Sequence, residues 1–125
     1  MLLGEKDDNL PVAKVENYLA YARAAGNPAP IEIVTYPGAY HAWTFPDQPS
    51  ARFYPDLVSA KECPLILLGP DRVMLLIEGQ AKPFDPDFFG ACMKKAPGYW
   101  MGFDAAVRAQ SIADAVRFLR RNLQP

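Results

Sequence analysis

Apolar and polar positions divide this chain into a regular beginning, a broken middle and a regular end. Met1-Leu2-Leu3 reads as the end of a buried strand. Val12, Val15, Leu19 and Ala22 then recur at helical spacing, with Lys14, Glu16 and Asn17 on the opposite side. Asp8 or Asn9 suits the cap of that helix and Pro11 its first turn, where no backbone N–H is needed; Gly26 ends it. Ile31-Glu32-Ile33-Val34-Thr35-Tyr36 is the clearest strand signal, stopped by Pro37-Gly38. In the middle, Leu65-Ile66-Leu67-Leu68 and Val73-Met74-Leu75-Leu76-Ile77 form a predicted β-hairpin across Gly69-Pro70-Asp71-Arg72, ended by Glu78-Gly79-Gln80. Asp85-Pro86 opens a short helix to about Lys95. Asp104 caps a last helix with an apolar stripe of Ile112, Val116, Leu119 and Leu123. Arg117, Arg120 and Arg121 near its end favour the helix dipole and read as solvated.

Strand, helix, strand at the start predicts a right-handed parallel crossover. That topology places the polar loops 4–11 and 37–44 on one edge of the sheet. His41, the sole histidine, follows its strand by five residues, in the position where open α/β sheets gather ligand and catalytic groups. Asp7 or Asp8 is then placed to accept the Nδ1–H of His41, which leaves Nε2 to take a proton. The plainer alternative is an aspartate that caps a helix and a histidine that bonds its local backbone.

Composition narrows the function classes. At 125 residues the chain is one small domain, and a net charge of −1 without a basic block argues against nucleic acid. No apolar run reaches membrane-spanning length, and Met1-Leu2-Leu3-Gly4 is too short for a signal sequence. Cys63 and Cys92 are too few soft ligands for a metal site, and no cofactor is implied. They are equally readable as a staple across the middle segment or as two buried thiols. Bonded, they imply a periplasmic or secreted protein; free, they leave a cytoplasmic one.

The segments Gly4-Glu5-Lys6-Asp7-Asp8-Asn9-Leu10-Pro11 and Tyr36-Pro37-Gly38-Ala39-Tyr40-His41-Ala42-Trp43, with a helix and a strand between them, resemble the C-terminal part of the dienelactone hydrolase family of α/β-hydrolases. The resemblance implies Asp7 as triad acid and His41 as base, with Asp8 a neighbouring cap. It implies a truncated α/β-hydrolase-like parallel sheet in a single domain, 1–125. Residues 1–48 and 98–125 are then hydrolase-like, and 49–97 an insertion carrying the hairpin and short helix. Tyr40, Trp43 and Phe45, with Phe53 and Tyr54, would either wall a pocket for a small ester or lactone or simply cover a core. The nucleophile is missing. Ser50, Ser59 and Ser111 lack glycines two residues away, and Gly90-Ala91-Cys92-Met93-Lys94 lacks the second glycine of an elbow. Two readings follow: the acid–histidine part of an ester or lactone hydrolase, inactive as a lone chain, or a non-catalytic binding or interaction module derived from one. The bare edge of such a sheet further implies a homodimer or a missing N-terminal hydrolase segment as partner.

Overall fold

The computed structural model describes residues 1–27, 29–68 and 72–123. Strand β1 (Leu2–Gly4) leads into helix α1 (Val12–Ala24), which returns to strand β2 (Val34–Tyr36). β1 and β2 pair in parallel, Leu3 opposite Thr35. Residues 31–33 stay outside the ladder, since β1 offers only three partners and pairs with Val34 onward. Val15, Leu19 and Ala22 are the buried positions of α1, as their spacing requires.

Beyond β2 the architecture departs from the expected parallel sheet. The parallel pair has two strands only, and the remaining strands are antiparallel. β3 (Arg52–Tyr54) pairs with β7 (Tyr99–Met101), Phe53 opposite Trp100. β4 (Leu65–Leu68), β5 (Val73–Ile77) and β6 (Gln80–Pro83) form a second antiparallel sheet in that order. The truncated α/β-hydrolase-like sheet is thereby overturned: among the described residues, no extended parallel sheet exists. Three short sheets and three helices make up the described residues, and the inserted hairpin is really a three-stranded meander.

The physical reason lies in turn chemistry and long-range pairing. Glu78 and Gly79 adopt φ of 51° and 76°, a left-handed pair that turns β5 back into β6 with Ile77 opposite Gln80. The expected hairpin turn falls at residues 69–71, outside the described residues. Helix α2 (Pro86–Met93) starts as predicted, the Asp85 carboxylate accepting from the N–H groups of Asp87 and Phe88. Cys63 and Cys92 are bonded, with their Cα atoms 5.5 Å apart, so α2 is stapled to the segment before β4. Helix α3 (Ala105–Asn122) is capped by Asp104 through the N–H of Val107.

α1 is a different case. Its cap position is Pro11, with no side-chain cap, so neither Asp8 nor Asn9 fills the role assigned to it. Both are engaged elsewhere. The Asp8 carboxylate accepts from the N–H of Trp100 at 3.0 Å and lies 3.6 Å from the Lys61 ammonium. Lys61 in turn donates to the carbonyl of Gly98. Asn9 accepts from the Ser59 hydroxyl. The loop after β1 thus anchors β7 and the 59–61 turn.

Candidate active site

The loops after β1 and β2 are laced together by their backbones. Glu5 N–H donates to Tyr36 O, and Lys6 N–H to Ala39 O at 2.9 Å. The Glu5 carboxylate accepts from Gly38 N–H. Gly4 makes this approach feasible, since a Cβ there would stand 2.5 Å from the Ala39 carbonyl oxygen. Two short parallel strands and this lacing carry Asp7 and His41 to the same place.

Asp7 is 8 % exposed and uses both carboxylate oxygens. Oδ1 accepts from the N–H groups of Asn9 and Leu10, at 3.0 and 2.9 Å. Oδ2 lies 2.9 Å from His41 Nδ1. Because a carboxylate only accepts, Nδ1 carries the hydrogen, and the neutral ring holds its free lone pair at Nε2. Of the two aspartates weighed from the sequence, Asp7 therefore meets the histidine.

The histidine is held from other directions too. Its carbonyl accepts from Gly102 N–H at 2.9 Å, and His41 bridges to Met101 at the end of β7. The Tyr99 ring stands edge-on to the imidazole, centroids 5.1 Å apart. The next residue, Ala42, sits at φ 63°, a left-handed conformation unusual for a side chain with Cβ. Strain of this kind persists only where surrounding contacts over-determine the backbone.

The hydrogen bond to Asp7 raises the His41 pKa above its ordinary value, partly offset by half-burial. The nearby Asp7 and Asp8 charges push the same way. The ring is consequently a stronger proton acceptor than a free histidine, and its side chain remains 35 % exposed. Nε2 has no hydrogen-bond partner among the described residues.

The other residues singled out from sequence fall in separate places. Trp43 packs on Tyr36 and donates its indole N–H to the Ser111 hydroxyl at 3.3 Å. Tyr40 stacks against Trp100 and under the Lys6 ammonium, whereas Phe45 is 61 % exposed. Tyr99 and Lys61 are the neighbours that sequence reasoning missed, and Asp8, weighed as a cap or as the histidine's acceptor, instead holds the Trp100 N–H and faces Lys61. Only the glycine before Tyr99-Trp100-Met101 hinted at a strand there. Cys92 is bonded to Cys63, so its thiol is not available as a nucleophile. Ser59 and Ser111 are buried and committed: Ser59 to Asn9 and the Lys61 N–H, Ser111 to the Arg108 carbonyl.

Chemically the pair can orient and polarise an imidazole, accept a proton at Nε2 and stabilise the resulting imidazolium. Among the described residues, no group of three or more His, Cys, Asp or Glu side chains is placed to hold a metal ion. Compared with known proteins, the chain matches no family model, no curated sequence and no solved structure.

Proposed function

We propose that this chain carries the acid and histidine of an ester or lactone hydrolase, similar in these two motifs to the dienelactone hydrolases, with the nucleophile supplied from outside the chain. The observation that carries the reading is the Asp7–His41 contact of 2.9 Å, with the second carboxylate oxygen locked by two backbone N–H groups. A carboxylate clamped in this way orients the ring and compensates the imidazolium during proton transfer. The likeness rests on these motifs and not on a shared sheet.

In this reading His41 Nε2 removes the proton from a hydroxyl or thiol as that group attacks the substrate carbonyl. The proton then passes from Nε2 to the departing alkoxide. The Cys63–Cys92 bond favours an oxidising compartment, so we place the protein in the periplasm or outside the cell. A second reading, a binding module that holds an ester without turning it over, is favoured by Ser59, Ser111 and Cys92 all being committed to structural bonds.

One assay separates the two. p-Nitrophenyl acetate is mixed with the purified chain, with His41→Ala and with Asp7→Asn, each with and without added trifluoroethanol. The alcohol stands in for the nucleophile: its proton goes to Nε2, its oxygen takes the acetyl group and p-nitrophenolate leaves. Release that rises with alcohol in the wild type and is lost in both variants is the expected result. Equal rates in all three chains at every alcohol concentration would overturn the hydrolase reading and leave the binding module.

A further inference from the structure

The Asp7–His41 pair is assembled from two separate supports. Asp7 belongs to the loop after β1, where the N–H groups of Asn9 and Leu10 fix its carboxylate. His41 rests on β7: its carbonyl takes the Gly102 N–H, its backbone bridges to Met101, and the Tyr99 ring stands against its imidazole. One connection between the supports is the direct lacing of Lys6 to Ala39. A second runs through Asp8 and Lys61. The Asp8 carboxylate takes the Trp100 N–H through Oδ1 at 3.0 Å, and its Oδ2 lies 3.6 Å from the Lys61 ammonium. The same ammonium donates to the Gly98 carbonyl at 3.2 Å. Lys61 thus reaches both supports, since Asp8 adjoins Asp7 and Gly98 adjoins Tyr99.

Lys61 is itself held in place, unlike an ordinary surface lysine. Its side chain is 22 % exposed. Its N–H donates to the hydroxyl of buried Ser59, which in turn donates to Asn9, two residues after Asp7. Ala60 and Cys63, on either side of it, offer their carbonyls to the Lys14 ammonium of α1, and Cys63 is bonded to Cys92 of α2. The Leu57 carbonyl takes the Gly98 N–H at 2.8 Å. The segment 57–63 is thereby fastened to the acid loop, to α1, to α2 and to the start of β7. An ion pair between long, free side chains spends much of its gain on ordering them. A lysine whose backbone is fixed at this many points has less freedom left to lose. We propose that Lys61 is a positioning residue for His41, clamping the acid loop to β7 so that the Asp7 carboxylate and the imidazole keep their 2.9 Å contact. It acts through Asp8 and Gly98 rather than on the ring itself. Its value to catalysis rests on the hydrolase reading; its part in placing the ring does not.

Charge and clamp have opposite signs at His41, which gives a decisive experiment. The groups facing the ring are Asp7 and Asp8 from the acid loop and Tyr99 from β7, and both aspartate charges raise its pKa. Were Lys61 only a charge, removing it would unmask Asp8 and raise the His41 midpoint further. As a clamp, its removal loosens the Asp7 contact and lowers the midpoint. The ring resonances of His41, the sole histidine, are titrated by NMR in the wild type, Lys61→Met and Lys61→Arg, with far-UV circular dichroism as the folding control. The expected result is a lower midpoint in Lys61→Met and a return toward the wild-type value in Lys61→Arg, which keeps a cation with donors for both contacts. A midpoint that rises or stays put in folded Lys61→Met would overturn the inference. If Lys61→Met does not fold, Lys61→Gln, whose amide still donates to a carbonyl, takes its place under the same requirement. The same chains are assayed for alcohol-dependent release of p-nitrophenolate, which should fall by up to about 100-fold in Lys61→Met. A wild type without such release, beside a lowered midpoint in Lys61→Met, would leave the clamp standing and remove the hydrolase reading. Release by the wild type with an unmoved midpoint in Lys61→Met would remove the clamp alone.

Discussion

His41 owes its proton affinity chiefly to one hydrogen bond, and that makes its titration a direct report on the site. The folded-state pKa is raised by Asp7, so the folded chain binds the proton more tightly than the unfolded one. Stability from the pair is therefore full below about pH 6.5 and is lost as pH rises through the higher folded-state value. The stability difference between wild type and His41→Gln, followed by urea unfolding, is expected to shrink across that interval. In Asp7→Asn, the His41 ring resonances should titrate lower than in the wild type; an unmoved midpoint would mean the contact does not govern the proton. Activity has the opposite sign, since a general base works only when neutral. Tyr36 shows how differently a buried group behaves: burial, then its hydrogen bond to Asp114, pushes it up to about 12, so it stays a neutral donor. Much at this scale could be read from the chain alone. The Asp7 and His41 motifs, the Asp85 and Asp104 caps and the α1 core positions all depend on neighbours a few residues away or on one crossover. Asp8 could not be read so, because its partner Trp100 lies 92 residues along the chain.

Among the elements, β1 and β2 matter less for their length than for what their ends hold together. Three residue pairs would be a weak sheet, and the lacing of the following loops completes it. Gly4→Ala forces Cβ against the Ala39 carbonyl and should destabilise the fold by about 1–3 kcal/mol. Gly90→Ala is the contrasting substitution: nothing lies within 4 Å of the new methyl on α2, so it should stabilise by about 0.5–1 kcal/mol. Urea midpoints of the two variants, moving in opposite directions, check the argument. β6 and β7 escaped sequence reading for physical reasons. Gln80-Ala81-Lys82-Pro83 has little apolar character and takes its place from the left-handed Glu78–Gly79 turn. Tyr99–Met101 is only three residues long and pairs with β3 nearly fifty residues earlier. Helix periodicity identified an apolar stripe on α3 but not which side of the helix meets the molecule; the polar bonds of Ser111 and Asp114 decide that.

Taken as a whole, the described residues hold small sheets joined by specific links, and each link carries more than its size suggests. Lys14 illustrates this: its ammonium donates to the carbonyls of Ala60 and Cys63, clasping the middle segment to α1. Burial lowers its pKa, a cost the two carbonyl bonds offset. Beside it, the Cys63–Cys92 bond closes a loop 29 residues long, and loop-closure entropy assigns such a bond roughly 3–4 kcal/mol. Cys63→Ala/Cys92→Ala should lower unfolding stability by that order, and added dithiothreitol should shift the wild type equally. No shift with reductant would mean the bond constrains little. The parallel crossover expected near the start of the chain forms, but the extended hydrolase-like parallel sheet expected over residues 1–48 and 98–125 does not, because local strand signals say nothing about which distant strand each will pair with.

The same bond partitions the chain in a way that matters when it is cut. Asp7 and His41 both precede Cys63, while all of α3 follows Cys92. A protease nick anywhere between the two cysteines therefore leaves one covalent object in which the proton-handling loops and helix α3 are still tethered. Only reduction would release them as two fragments.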